Sequence, residues 1–279
     1  MTPLISPDEL LALQLVRPVV LIDARTGPDA HQQYQAQHLR GARHVDLGQD
    51  LAGPAANPAI GGRHPLPELP VFAQLLGQLG IGPDSHVVVY DNKSAANAAA
   101  RCWWMLVAVG HLAVQVLDGG LSAAVAAGLP VSAEVETPPA TASYPASAWV
   151  LPTATADDVA RATQSGRHPV IDVREAVRYR GETEPIDVVA GHIPGAINIP
   201  FSSNLAADGK FLAPEVLRQK YQNIIDATDP AEAIVHCGSG VTACHTLLAM
   251  AQAGLAIPRL YVGSWSEWSR SGRPVATGY

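Results

Sequence analysis

The chain has 279 residues, 48% of them hydrophobic and 5% aromatic, which exceeds one typical domain and leaves ample apolar material for a core rich in Ala, Val and Leu. A formal net charge of −7 argues against nucleic acid or an anionic membrane surface as the main partner. No stretch reaches the roughly 18 consecutive apolar residues that a membrane span requires.

The N-terminal residues Met1-Thr2-Pro3-Leu4-Ile5-Ser6-Pro7 lack the basic region and long apolar core of a signal peptide. Val20-Leu21-Ile22-Asp23-Ala24-Arg25 follows as a β-branched run closed by an Asp/Arg pair, then His38-Leu39-Arg40-Gly41-Ala42 and a proline-bounded loop, Gly62-Arg63-His64-Pro65-Leu66-Pro67. His86-Val87-Val88-Val89-Tyr90-Asp91 reads as a strand, and Ala95–Val109 as a helix whose Trp103-Trp104-Met105 is core. Short Val/Ile runs alternating with longer Ala/Leu segments predict βαβ units: an α/β protein with a parallel β-sheet covered by helices on both faces. Ser132–Val150, with Pro138, Pro139 and Pro145, has no periodicity and is expected to be a linker.

Beyond it the same order returns. Val170-Ile171-Asp172-Val173-Arg174 repeats the first run, His192-Ile193-Pro194-Gly195-Ala196 the second, and Ala233-Ile234-Val235-His236-Cys237 the third. Matching positions stay roughly 150 residues apart, too far for a solenoid and right for a duplicated domain. The expected organisation is a domain over 1–135, a linker over 136–150 and a second domain over 151–279. Because Asp23, Arg25, Asp172 and Arg174 recur in both halves, they are expected to form strand-end ion pairs or loop anchors and not to serve catalysis.

One stretch carries chemistry. The apolar run ending at His236 delivers Cys237 into Gly238-Ser239-Gly240-Val241-Thr242, and a helical segment follows at once. Loop N–H groups and the positive end of that helix would both favour a thiolate, and the glycines let the backbone curl around one atom. In the first half the matching position is Asp91, a carboxylate that cannot supply a thiolate, so only the second half is expected to be active. Three cysteines without CxxC spacing suit a reducing compartment, and a cytoplasmic protein is expected. Cys102 and Cys244, in apolar helical segments, read as structural.

With these motifs in order, and with Val262-Gly263-Ser264-Trp265-Ser266-Glu267-Trp268 near the C-terminus, nearly the whole chain resembles a tandem-domain sulfurtransferase of the rhodanese family. The resemblance implies two tandem rhodanese-like domains. The loop Cys237-Gly238-Ser239-Gly240-Val241-Thr242 is similar to that of 3-mercaptopyruvate sulfurtransferases, whereas thiosulfate-using relatives commonly carry basic residues after the cysteine. A dianionic donor would gain more from cations inside the loop than a monocarboxylate does.

The implied reaction is covalent and ping-pong. Cys237 attacks the donor sulfur, a persulfide forms, pyruvate leaves, and a thiophilic acceptor (cyanide, a small thiol or a reduced protein thiol such as thioredoxin) takes the outer sulfur. Ser239, two residues after the nucleophile, is placed to relay a proton. The resemblance implies that His64 reaches across from the first domain to Ser239, with an acidic residue behind it; Gly48 stands at the aligned position, and of the flanking Asp46 and Asp50, Asp50 is favoured. It also implies that Arg178 grips the donor's carboxylate. A second binding arginine of the animal enzymes has no counterpart, since Ile186 stands in its place, and the aromatic that often lines the cleft is missing from Asn97-Ala98-Ala99-Ala100. No cofactor or metal is expected.

Rival readings fit less well. A cysteine phosphatase needs an arginine six residues after its nucleophile, where this chain has Ala243. A metal site would have to use His236-Cys237 with Cys244-His245, a spacing unlike structural zinc sites. A thiosulfate sulfurtransferase, or a non-catalytic sulfur-relay or docking module on the same scaffold, remain as alternatives.

Overall fold

The computed structural model describes residues 1–96, 98–137, 142–225 and 230–279. Its strands are β1 (Leu4–Ile5), β2 (Val20–Asp23), β3 (His38–Leu39), β4 (Arg43–His44), β5 (Val87–Tyr90), β6 (Val114–Leu117), β7 (Val131–Ser132), β8 (Thr153–Ala154), β9 (Val170–Asp172), β10 (Ile197–Asn198), β11 (Ile234–His236) and β12 (Arg259–Tyr261). The helices are α1 (Pro7–Val16), α2 (Ala30–Ala36), α3 (Leu69–Gln78), α4 (Ala98–Ala108), α5 (Gly120–Ala126), α6 (Ala156–Ser165), α7 (Ala176–Tyr179), α8 (Pro214–Ile225), α9 (Ala243–Gln252) and α10 (Ser264–Trp268).

The β-branched runs pair as parallel strands in two five-stranded sheets, ordered β1-β6-β5-β2-β4 and β8-β12-β11-β9-β10. The two orders correspond strand for strand, so the duplication seen in the sequence is a duplication of topology. Local chemistry repeats as well. Ser6 caps α1 and Thr155 caps α6, each in a capping box closed by Glu9 and Asp158 respectively, which satisfies two otherwise orphaned N–H groups.

Both faces of each sheet are covered. Val88 and Tyr90 cluster with Leu10 of α1 and Leu121 of α5, while Val87 and Val89, which alternation turns to the opposite face, are also fully buried. In the second sheet Val170, Ile234 and Tyr261 pack with Val159, Trp265 and Trp268, and Ile171, Val235 and Leu260 are buried on the other side.

The chain divides into two compact units that do not follow chain order. The first comprises Met1–Gly53, Pro67–Val150 and Ala207–Phe211; the second comprises Pro54–Leu66, Leu151–Ala206 and Leu212–Tyr279. Of the expected linker, 138–141 lie outside the described residues. Its later part belongs to the first unit, where Tyr144 is buried and donates its N–H to Ala73 O (2.9 Å).

Candidate active site

The end of β11 presents Cys237, 3% exposed, to a loop that closes into α9. Gly240 makes the loop possible: its φ is +73°, and a Cβ there would lie 2.5 Å from Val262 O. The loop is stitched to the turn between β12 and α10. Cys237 N–H donates to Ser264 Oγ (3.2 Å), Cys237 O accepts from Trp265 N–H (3.0 Å), and Gly238 O accepts from Ser266 N–H (2.8 Å). Ser264 in turn donates its hydroxyl to Tyr261 O (2.8 Å).

His64 Nδ1 lies 2.8 Å from Ser239 Oγ. The histidine precedes α3 in the chain, and its segment, 54–66, falls within the second compact unit. Two contacts moor that segment. Gly61 N–H donates to Glu267 Oε1 (2.9 Å), and Gly62, at φ +79°, passes so close to Gly263 that a Cβ would lie 2.4 Å from its carbonyl oxygen. Asp50 lies in the first unit; its carboxylate accepts from Asp46 N–H (2.7 Å), and burial pushes its pKa up.

Arg178 borders the residue after the nucleophile. A Cβ on Gly238 would lie 3.6 Å from its Nη1, and 3.4 Å from Nη2 of Arg63. Glu184, nearly buried, aligns Arg178 with bonds of 3.3 Å to Nε and 2.6 Å to Nη2. Asp187, whose side chain is fully buried, ion-pairs with Arg63, with Arg270 (2.7 Å) and with Arg178 (3.5 Å). Ile186, at the place of the missing arginine, is 55% exposed.

The repeated Asp/Arg motifs are structural in both units. Arg25 pairs with Asp23 at 2.7 Å and donates to Gln37 O; Arg174 pairs with Asp172 at 2.6 Å and donates to Gly191 O. His236, fully buried beside Asp172, has its pKa lowered by burial. Burial also pushes the Cys102 thiol up to about 12, in keeping with an inert core residue. Among the described residues no group of three His, Cys, Asp or Glu side chains is placed to hold a metal, and no helix is long and apolar enough to cross a membrane.

The first unit displays what such a loop does with an anion. Asp91 stands at the end of β5 as Cys237 stands at the end of β11, and its carboxylate accepts from the N–H groups of Lys93 (2.8 Å), Ala95 (2.9 Å) and Ala99 (3.4 Å). The same spacing places Ser239 and Val241 after Cys237. Asn97, from the segment read as lacking a cleft aromatic, lies outside the described residues.

Sequence reasoning did not single out Arg63, Asp187 or Arg270; it did place Gly263-Ser264 near the cleft, and Ser264 meets the backbone of Cys237. Arg63 had a signal, being the neighbour of His64 in Gly61-Gly62-Arg63-His64. Nothing local marks Asp187, whose bond to Arg63 spans 124 residues of chain.

A rhodanese-like domain matches the chain twice, over residues 6–127 and 155–271, and the chain belongs to that family. A Pseudomonas aeruginosa protein named probable 3-mercaptopyruvate sulfurtransferase is 44% identical over 249 residues, covering 88% of this chain and 86% of its own. Human 3-mercaptopyruvate sulfurtransferase is 37% identical over 278 residues, covering 96% and 90%. The solved structure of 3-mercaptopyruvate sulfurtransferase from Leishmania major aligns with a TM-score of 0.84 at 29% identity, covering 97% of this chain and 75% of that one.

Proposed function

We propose that this protein moves a sulfur atom from 3-mercaptopyruvate through a Cys237 persulfide to a thiophilic acceptor. The observation that carries the reading is the 2.8 Å approach of His64 Nδ1 to Ser239 Oγ beside a lone cysteine loop. The Cys237 thiolate forms an S–S bond as the donor's C–S bond breaks, and that electron pair passes to the enolate of pyruvate. The proton released by the donor thiol is the one the enolate carbon needs, so Ser239 and His64 can carry it from sulfur to carbon with no other acid or base consumed. Arg178, aligned by Glu184, takes the donor's carboxylate. Cyanide or a thiol, including a reduced protein thiol of the thioredoxin class, then attacks the outer sulfur and returns the Cys237 thiolate. The three buried cysteines, none in a disulfide, fit a reducing cytoplasmic setting.

A second reading, thiosulfate as donor, has one observation in its favour: two guanidiniums face Gly238 from outside the neutral loop. Thiocyanate formation with mercaptopyruvate and with thiosulfate, on one purified sample, decides between them. A larger kcat/KM for mercaptopyruvate is expected; a larger one for thiosulfate reassigns the donor, and activity with neither leaves a docking module. Asp50 keeps the role that the resemblance gives it, and Asp50→Asn tests it: loss of the acidic member should slow donor turnover and leave the cyanide step intact, and an unchanged donor rate would remove it.

A further inference from the structure

We infer that Arg63 is the second donor-binding cation of this site, held in place by Asp187 as a positioning residue, and that it sets the preference for donors bearing a carboxylate. The inference rests on the sulfur-transfer reading above and deepens it. Arg63 takes up from a different segment the work of the arginine whose place is filled by Ile186.

The geometry points there in three ways. First, the uncommitted nitrogens converge. Among the described residues Arg63 spends Nη1 on Asp187, and Arg178 spends Nε and Nη2 on Glu184. The two nearest a Gly238 Cβ are remaining ones, Arg63 Nη2 at 3.4 Å and Arg178 Nη1 at 3.6 Å, with the Glu184-bound Nη2 of Arg178 just behind at 3.7 Å. Two N–H donors from two guanidiniums, meeting one residue past the nucleophile, suit the two oxygens of one carboxylate.

Second, the charges are layered. The side chains of Asp187 and Glu184 are 0% and 4% exposed, whereas those of Arg63 and Arg178 are 23% and 18% exposed. The carboxylates sit behind and orient the cations, whose outer faces reach solvent. Asp187 is shared by three arginines, so it does not neutralise them, and an arriving anion meets residual positive charge.

Third, mooring the segment does not need Arg63. Gly61 and Gly62 already fix it to Glu267 and Gly263. A guanidinium spent only on structure would not have to turn its free edge toward the loop.

The test compares two donors in the first half-reaction, 3-mercaptopyruvate and its carboxamide analogue, for the wild type, Arg63→Met, Arg63→Lys and Asp187→Asn. Arg63→Met should lower kcat/KM for the carboxylate donor by about 30-fold or more, the loss typical of a charge-assisted hydrogen bond. The carboxamide should change by less than about threefold. Arg63→Lys should recover only part, because a point charge cannot share a carboxylate edge-on. Asp187→Asn should raise KM for the carboxylate donor more than it lowers kcat. An unchanged carboxylate donor in Arg63→Met, or an equal loss on both donors, overturns the inference. A wild type that takes no sulfur from mercaptopyruvate instead overturns the proposed function, and does so before any variant is compared.

Discussion

The hydroxyl of Ser264 accepts the backbone N–H of Cys237 at 3.2 Å, from a residue held in the left-handed region at φ +53°. The matching residue of the first unit is Gly120, at φ +60°. The second unit thus carries a side chain where the first has none, against a backbone preference of about 1–2 kcal/mol. What offsets that preference is a two-ended bond joining the nucleophile's backbone to Tyr261 O.

Substitutions at Ser264 should therefore reverse the usual order of alanine and glycine. Ser264→Ala keeps the strained Cβ and loses both hydrogen bonds, for a destabilisation of about 2 kcal/mol. Ser264→Gly loses the same bonds but regains about 1 kcal/mol from the relaxed backbone. Urea unfolding of the two variants checks this, and alanine proving the more stable would mean that the bonds contribute little.

Cys237→Ser should transfer no sulfur to any acceptor. Intact-protein mass spectrometry after donor treatment should find one added sulfur on the wild type and none on the variant. Turnover by the variant would require a second carrier.

His64→Gln and Ser239→Ala should each slow the mercaptopyruvate half-reaction by about 100-fold, the lower range for a positioned acid–base group. The double variant should be little slower than either single one, because one hydrogen bond joins the two side chains and removing either end breaks it. Additive losses would mean separate roles.

Asp91→Cys should form no persulfide, since Asn92, Lys93 and Ser94 do not reproduce Gly238, Ser239 and Gly240. It should also lose about 2 kcal/mol of stability, because the carboxylate bonds to Lys93, Ala95 and Ala99 disappear. A thiol-labelling assay together with thermal unfolding reads both.

Acid should weaken the fold partly through buried histidines. Burial lowers the pKa of His111 and of His236 from the ordinary 6.5. The unfolded chain then takes up protons that the native state excludes, so their contribution is complete above 6.5 and is lost as pH falls below it. Burial pushes the carboxyls of Asp50 and Asp118 up, which acts in the opposite direction. The clean readout is a difference: stability should fall less steeply between about pH 7.5 and 5.5 in His111→Gln than in the wild type. Parallel slopes would remove His111 from the account.

The sheets were legible because β-branched runs and amphipathic helices announce themselves locally, and Cys237 was legible because Gly-Ser-Gly beside a cysteine has little other use. His64 and Arg178 required the family resemblance, since neither stands in a pattern that predicts a contact. Arg63 and Asp187 escaped for a physical reason. Their roles arise from bonds between residues far apart in the chain, and a lone Arg or Asp on a polar loop looks like any solvated charge. The division into units was equally hidden, because nothing in the composition of 54–66 separates it from its chain neighbours.

That division gives the duplication a history. Two copies made by gene duplication begin as interchangeable modules, free to be lost, swapped or shuffled at the joint between them. Here the second compact unit takes in 54–66 and the first takes in 207–211, so neither unit is one continuous stretch of chain. A recombination event at the midpoint would inherit Cys237 and its loop but leave His64 and Arg63 behind. With His64 and Arg63 in their proposed roles, selection on the chemistry of one copy preserves the gene of both.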